Sequence, residues 1–239
     1  MDSPLTAYIT LVTVSAVVNL LLGCYVFIKR HQYEKVSAVL FIAVMAAKTI
    51  YCFSYAFSLT SSTLEQLRFW SVMQYFGMPF APALGLLFVL QYLGFKVGKP
   101  LYAVLLAFPA LSLLSNATNE WHHLHYKKYA VHETLGAPFN DIEVGPMYVV
   151  HGAFIFVCFI TAIMLLVSRW KDTDRAYRPQ LFTLLCALII PMATSFLYLV
   201  GVTPAGIDPV PMVVGASSVL MWRTIESSRL LTIIPVAKE

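Results

Sequence analysis

Lys48 stands near the middle of a long apolar run, flanked by Ala46, Ala47, Thr49 and Ile50. An ammonium at the centre of a bilayer costs about 2.5–3.5 kcal/mol on insertion scales, so such a group faces protein and a partner rather than lipid. Two readings stand side by side. Lys48 is the counter-charge for an anionic ligand or half of a buried polar switch; or it snorkels, or rests on backbone carbonyls and the amides of Asn19 or Gln74. No acidic residue lies at comparable depth, which argues against a simple intramembrane ion pair. A second set, Tyr51, Tyr55, Trp70, Gln74, Tyr148, His151, Tyr198 and Asp208, is aromatic or polar and lies toward one end of five apolar runs. Taken singly, each fits an interfacial aromatic belt or a polar contact between helices. Their co-occurrence is what a small-molecule cavity needs.

The histidines His122, His123, His125 and His132 could suggest zinc. In an extended strand, His123 and His125 would share a face. A zinc site usually adds a thiolate or carboxylate in closed geometry, so the reading taken is no metal. Asn119, Trp121, His122 and Tyr126, with Tyr129 and Phe139, read instead as an interfacial lid, because Trp and Tyr favour the headgroup region. Gly136, Pro138 and Gly145 punctuate the same segment as turns, consistent with a small hairpin. Cys24, Cys52, Cys158 and Cys186 all lie inside apolar runs and read as small buried residues. No nucleophile–base set and no His with carboxylates at one depth occurs inside the runs, so no catalytic residue and no cofactor are expected.

The elements that must position these groups follow from composition. Apolar residues make up 59% of the 239 positions and charged residues 12%, against about 45–50% and about 25% in soluble domains. Such a chain cannot clothe a water-facing surface, and lipid must be its main solvent. About 20 apolar residues cross the hydrocarbon core as a helix. Runs at about 5–28, 36–59, 67–93, 100–116, 144–168, 181–202 and 210–232 meet that need and leave one long loop, 117–143. The fold expected is an all-α, single-domain, seven-transmembrane helix bundle. Pro79 and Pro82 in the third run and Pro191 in the sixth predict kinks, since each removes a backbone donor.

Charge sets the expected orientation. Twelve of the Lys and Arg residues fall in the first, third and fifth loops and the C-terminal end, and only Arg68, Lys127 and Lys128 on the other side. The positive-inside rule then puts the N-terminus outside and the C-terminus in the cytoplasm. The net charge of +4 is an orientation signal and does not point to nucleic acid. The N-terminus lacks the basic start of a cleavable signal peptide.

Several stretches resemble a known family. Gln74-Tyr75-Phe76-Gly77, followed by Pro79, Pro82 and Leu87-Phe88-Val89-Leu90-Gln91-Tyr92-Leu93-Gly94, resembles the third span of the N-terminal seven-transmembrane region of bacterial sensor histidine kinases. Thr118-Asn119-Glu120-Trp121-His122-His123-Leu124-His125-Tyr126 is similar to that family's Thr-Asn-x-x-His-x-Leu stretch at the start of the outer loop. Tyr177-Arg178-Pro179-Gln180, Asp208-Pro209-Val210-Pro211 and the segment from Arg229 through Pro235 to Lys238 match in order and spacing. One departure is Phe57-Ser58, where the family pattern has an acidic residue near the end of the second span.

The resemblance implies a sensor input domain in a bacterial inner membrane, dimeric, with kinase domains attached in cis. A small ligand or the membrane itself would be sensed in the outer half, and Pro79, Pro82, Pro191, Arg229 and Pro235 would relay the change inward. The chain carries no glycine-rich ATP loop and no phosphoacceptor histidine in a cytoplasmic helix, so it is not expected to be an enzyme. The ending at Lys238-Glu239, with no helix-stop chemistry after Pro235, reads as excision from a larger receptor. The alternative is a small-solute transporter, which the lack of an internal repeat disfavours.

Overall fold

Apolar runs of 19 to 25 residues, opened by proline or by a capping side chain, account for most of the architecture. The computed structural model describes residues 4–134, 137–203 and 207–232, with side chains described except at 132–140 and 228–232. The elements are α1 (Pro4–Ile28), a 3-10 turn (Arg30–Gln32), α2 (Lys35–Leu59), α3 (Leu64–Tyr75), α4 (Phe80–Tyr92), α5 (Lys99–Ala117) and α6 (Asn119–His122). A two-stranded ribbon of β1 (Tyr126–Thr134) and β2 (Ala137–Val144) follows, then α7 (Pro146–Ser168), α8 (Arg178–Leu199) and α9 (Val210–Thr232).

Among the described residues, six stretches are long and apolar enough to cross a membrane, with α3 and α4 counted together as Leu64–Tyr92. The 23-residue α9 is the seventh rod of the bundle, packed against α1, α2 and α8. Its second half is less apolar because it carries Arg223, Glu226 and Arg229. The bundle has α2 at its centre, in contact with α1, α3, α4 and α9; α7 bridges α4 and α8, and α5 leans on α3, α4 and α7.

Local chemistry sets the ends. Pro100, Pro146 and Pro179 sit in the first turns of α5, α7 and α8, where a missing N–H costs nothing. The carboxylate of Glu34 accepts from the backbone N–H groups of Val36 and Ser37 at 2.9 and 2.7 Å, capping α2. Gly201 ends α8 at φ +74°, and the Val202 N–H closes back on the Leu197 carbonyl at 3.1 Å, the usual left-handed stop.

The third run, read as one kinked span over 67–93, is two helices separated by the tight turn Phe76–Pro79. Two causes combine. Pro79 and Pro82 supply no N–H, and Gly77 seats directly on the backbone of α2, where a Cβ would lie 2.0 Å from the Ala47 carbonyl oxygen. The sixth run begins and ends about three residues earlier than read, and the fifth starts at Pro146 because Val144 is taken into β2. Pro138 is not a turn residue. It lies in β2 opposite Glu133, tolerated because a two-stranded ribbon has free edges.

Two cores fill the bundle. The larger, with Phe41, Phe88, Leu87, Leu166 and Leu184 fully buried, occupies the half remote from the ribbon. The smaller, built on Val12, Ala16, Cys52 and Val214, lies on the ribbon side. Large apolar side chains such as Leu21, Val104, Val157 and Met164 point outward, as hydrocarbon solvent requires.

Candidate ligand site

Between the two cores the helices part. A cavity of about 130 Å³ runs among α2, α4, α7, α8 and α9. Of the nine residues singled out as pocket candidates, Lys48, Tyr51, Tyr148, His151, Tyr198 and Asp208 line it. Tyr55 stands behind the wall, where its phenol oxygen accepts from the Asp208 backbone N–H at 2.9 Å. Trp70 and Gln74 are elsewhere: Trp70 stacks on Phe57 with ring centroids 4.7 Å apart, and Gln74 is half-buried on α3. Both sit on the helix segment that the Phe76–Pro79 turn separates from the cavity wall. Of the relay prolines, Pro82 and Pro191 line the cavity, and Pro79 caps α4. The side chain of Arg229 and all of Pro235 lie outside the described residues.

The electrostatic centre of the site is Lys48. Its ammonium donates to Ser218 Oγ at 3.0 Å and Ser217 Oγ at 3.3 Å, both on α9, and not to Asn19 or Gln74. Ser217 in turn donates to the backbone carbonyl of Ala187 at 2.6 Å. That carbonyl is the one Pro191 leaves free, because proline at position i has no N–H for residue i−4. A hydroxyl from a neighbouring helix satisfies it, which is how prolines are accommodated in membrane helices. α8 stays helical through Pro191, from Arg178 to Leu199. One polar chain thus ties α2, α9 and α8 together at the cavity wall.

Asp208 closes the end nearer the ribbon. Tyr51 donates to one carboxylate oxygen at 2.6 Å, and the Val210 N–H donates to the other at 2.9 Å. Among the described residues, ion pairs within 4.0 Å are Arg68–Glu120 and Lys127–Glu143. Lys48 therefore has no carboxylate partner among them.

Above this end lies the cap. The side chain of Asn119 accepts from the backbone N–H groups of His125 and Tyr126, both at 2.9 Å, and donates to the Tyr126 carbonyl at 3.0 Å. His122 pairs with the Thr118 hydroxyl at 3.0 Å and accepts from the Leu124 N–H at 3.0 Å. His123 adopts φ +53° to turn the chain, so His123 and His125 do not share a strand face. Gly145 fits under this turn, where a Cβ would stand 2.2 Å from the Leu124 carbonyl oxygen.

The turn delivers His125, fully buried, to Tyr75 at 2.7 Å, and Tyr75 Oη lies 3.4 Å from Tyr126 Oη. Burial pushes the His125 imidazole down to about 4, with the His122 charge adding to the effect. Its Nδ1 has no partner. Tyr126 belongs to this cluster; Trp121 stands apart from it, 84% exposed. Among the described residues, no three His, Cys, Asp or Glu side chains group to hold a metal.

Sequence reasoning missed Ser217, Ser218, Gly85 and Gly152. The two glycines line the cavity, and a Cβ on either would meet nothing within 4 Å. The available signal was the rule that a mid-span proline frees the carbonyl four residues back.

A family model described as the N-terminal 7TM region of histidine kinase matches residues 11–235. No curated protein matches the chain.

Proposed function

Because the chain belongs to the family of N-terminal seven-transmembrane regions of histidine kinases, we propose that it is the ligand-responsive input region of a two-component receptor. A small molecule or lipid occupies the cavity, shifts α9 against α2 and α8, and α9 carries that shift to a kinase in cis. Coupling of this kind needs only a ligand that prefers one arrangement over another.

The observation that carries the reading is the double role of α9. Val210, Val214, Ser217 and Met221 form one wall of the cavity, and the same helix continues to Glu226, which accepts from Tyr33 at 2.5 Å. The T-shaped contact of Trp222 with Tyr25, at 5.8 Å, adds a second link at that end. Whatever displaces Ser217 therefore bears on both contacts.

The distribution of basic residues supports an outer location for the ribbon and a cytoplasmic one for the end of α9. Pairing of receptor chains in a bacterial inner membrane fits the family and belongs to the same proposal.

The test uses the receptor that carries this region, in membrane vesicles. Ser217→Ala should change basal autophosphorylation severalfold, because the α2–α9–α8 chain then opens at its middle. Unchanged autophosphorylation at equal receptor abundance would count against signalling through α9.

A further inference from the structure

The geometry points to the class of ligand: an organic monoanion with a compact apolar body, its charged group on Lys48. The inference rests on the sensor reading and adds the chemistry of recognition. Lys48 is 9% exposed and lines the cavity. An ammonium carries three donors; two are directed at the neutral hydroxyls of Ser217 and Ser218. Hydroxyls solvate a charge without neutralising it. A buried cation is held most favourably by an anion in hydrogen-bonding geometry, and the described residues supply none within ion-pair distance.

The remaining walls narrow the choice. Val44, Gly85, Phe159, Leu184, Leu188 and Met221 are apolar and line the cavity around and beyond Lys48. On α9, Ser217 and Met221 are four residues apart, a depth of about 6 Å. That depth takes a short hydrocarbon segment or a single ring against Lys48, and any longer chain must leave between the helices toward the bilayer. At the ribbon end, Asp208 is already engaged by Tyr51 and the Val210 N–H. Its carboxylate disfavours a second anion there and directs the charged group of the ligand to Lys48. The anion could be the carboxylate of a free organic acid or the phosphate of a bilayer lipid reaching in between helices.

The experiment places the 239-residue chain in nanodiscs and follows thermal unfolding and binding by calorimetry. Octanoate is the free-acid probe, octanol its neutral counterpart, and discs with or without phosphatidylglycerol are the lipid arm. Octanoate, or phosphatidylglycerol, should bind saturably and raise the melting temperature; octanol should not. Lys48→Met should weaken the anion by about thirtyfold or more, the usual scale for removing one partner of a buried charge pair.

Gly152→Leu fills open space without a backbone clash, so it keeps the fold while abolishing binding, and it decides the matter if Lys48→Met does not fold. Equal binding of octanol and octanoate would overturn anion recognition. So would binding that survives in Gly152→Leu, or no binding of either anion to the wild type. If instead the anion binds as described but autophosphorylation of the wild-type receptor does not change with it, the ligand class stands and the sensor reading fails.

Discussion

The cap beneath the ribbon and the Lys48 junction beneath the cap are built on opposite terms. In the cap, a single amide, Asn119, takes up two backbone N–H groups and one carbonyl, and Gly145 is wedged so tightly that no side chain fits. At the junction a cation leans on two hydroxyls at 3.0 and 3.3 Å, beside a cavity. Saturated hydrogen bonding of backbone groups gives one arrangement and a steep cost for leaving it. Hydroxyls that rotate, next to unfilled volume, leave neighbouring arrangements close in energy. On the proposed reading, the cap is the fixed reference and the junction the part that moves.

The contrast breaks most severely at Asn119. Asn119→Ala strips partners from three partly buried backbone groups at once, at about 1–3 kcal/mol for each that water cannot reach. A loss of about 2–4 kcal/mol is expected, with the ribbon becoming open to protease while the membrane helices keep their circular dichroism. If cleavage within 127–143 stays as slow as in the wild type, the cap is not held by this side chain.

The junction should respond less and in a way that depends on its partners. Ser217→Ala leaves the Ala187 carbonyl without its donor and costs about 1 kcal/mol, in the range found for hydrogen bonds between membrane helices. Pro191→Ala gives α8 back an N–H for that same carbonyl. In the Pro191→Ala background, the Ser217→Ala penalty should therefore shrink by at least half. A double-mutant cycle on detergent unfolding checks it, and strictly additive penalties would refute the link between Pro191 and Ser217.

The same contrast decides what could be read from the sequence. The membrane helices announce themselves, because hydrocarbon demands about 20 apolar residues and little in this chain competes with that signal. Lys48 and Asp208 were legible as charges where charge is costly. Ser217 was not. A hydroxyl in a helix usually answers to its own carbonyl four residues back, as Thr10, Thr13, Thr49, Thr183 and Thr194 all do here. A serine therefore carries no signal of its own: Pro191 announces a carbonyl in need of a donor, but which hydroxyl answers waits on the neighbouring helix.

The histidines misled in the opposite direction. Their spacing suggested a shared strand face, but the left-handed His123 divides them, leaving His122 to close a turn and His125 to enter the core. Asn119 stood out through resemblance to a family motif, and only the turn it ties explains why that position needs a short amide.

Acid offers a finer probe of the cap. The His125 imidazole titrates near 4 in the folded chain, against about 6.5 in an unfolded one. Between those values the unfolded state binds the extra proton, so cap stability is fully present above about pH 6.5 and falls as pH drops toward 4. Cleavage within the ribbon should accelerate several-fold from pH 7 to pH 5 in the wild type. It should do so much less in His125→Phe, which keeps the ring packing on Tyr75 and removes the titrating nitrogen. Equal acid sensitivity in the two proteins would assign the effect to another group.

The smallest effect belongs to the rim of the same cap. Arg68 pairs with Glu120 at 2.6 Å, yet their side chains are 42% and 69% exposed, and the guanidinium also lies 5.7 Å from the Tyr129 ring centroid. Exposed pairs contribute about 0–1 kcal/mol and fade with salt. Arg68→Ala should therefore move the melting temperature by no more than a degree or two, and half-molar salt should erase even that difference. A shift as large as that of Asn119→Ala would mean the cap is clamped from its rim, and the division between a hydrogen-bonded scaffold and a loosely held junction would have to be redrawn.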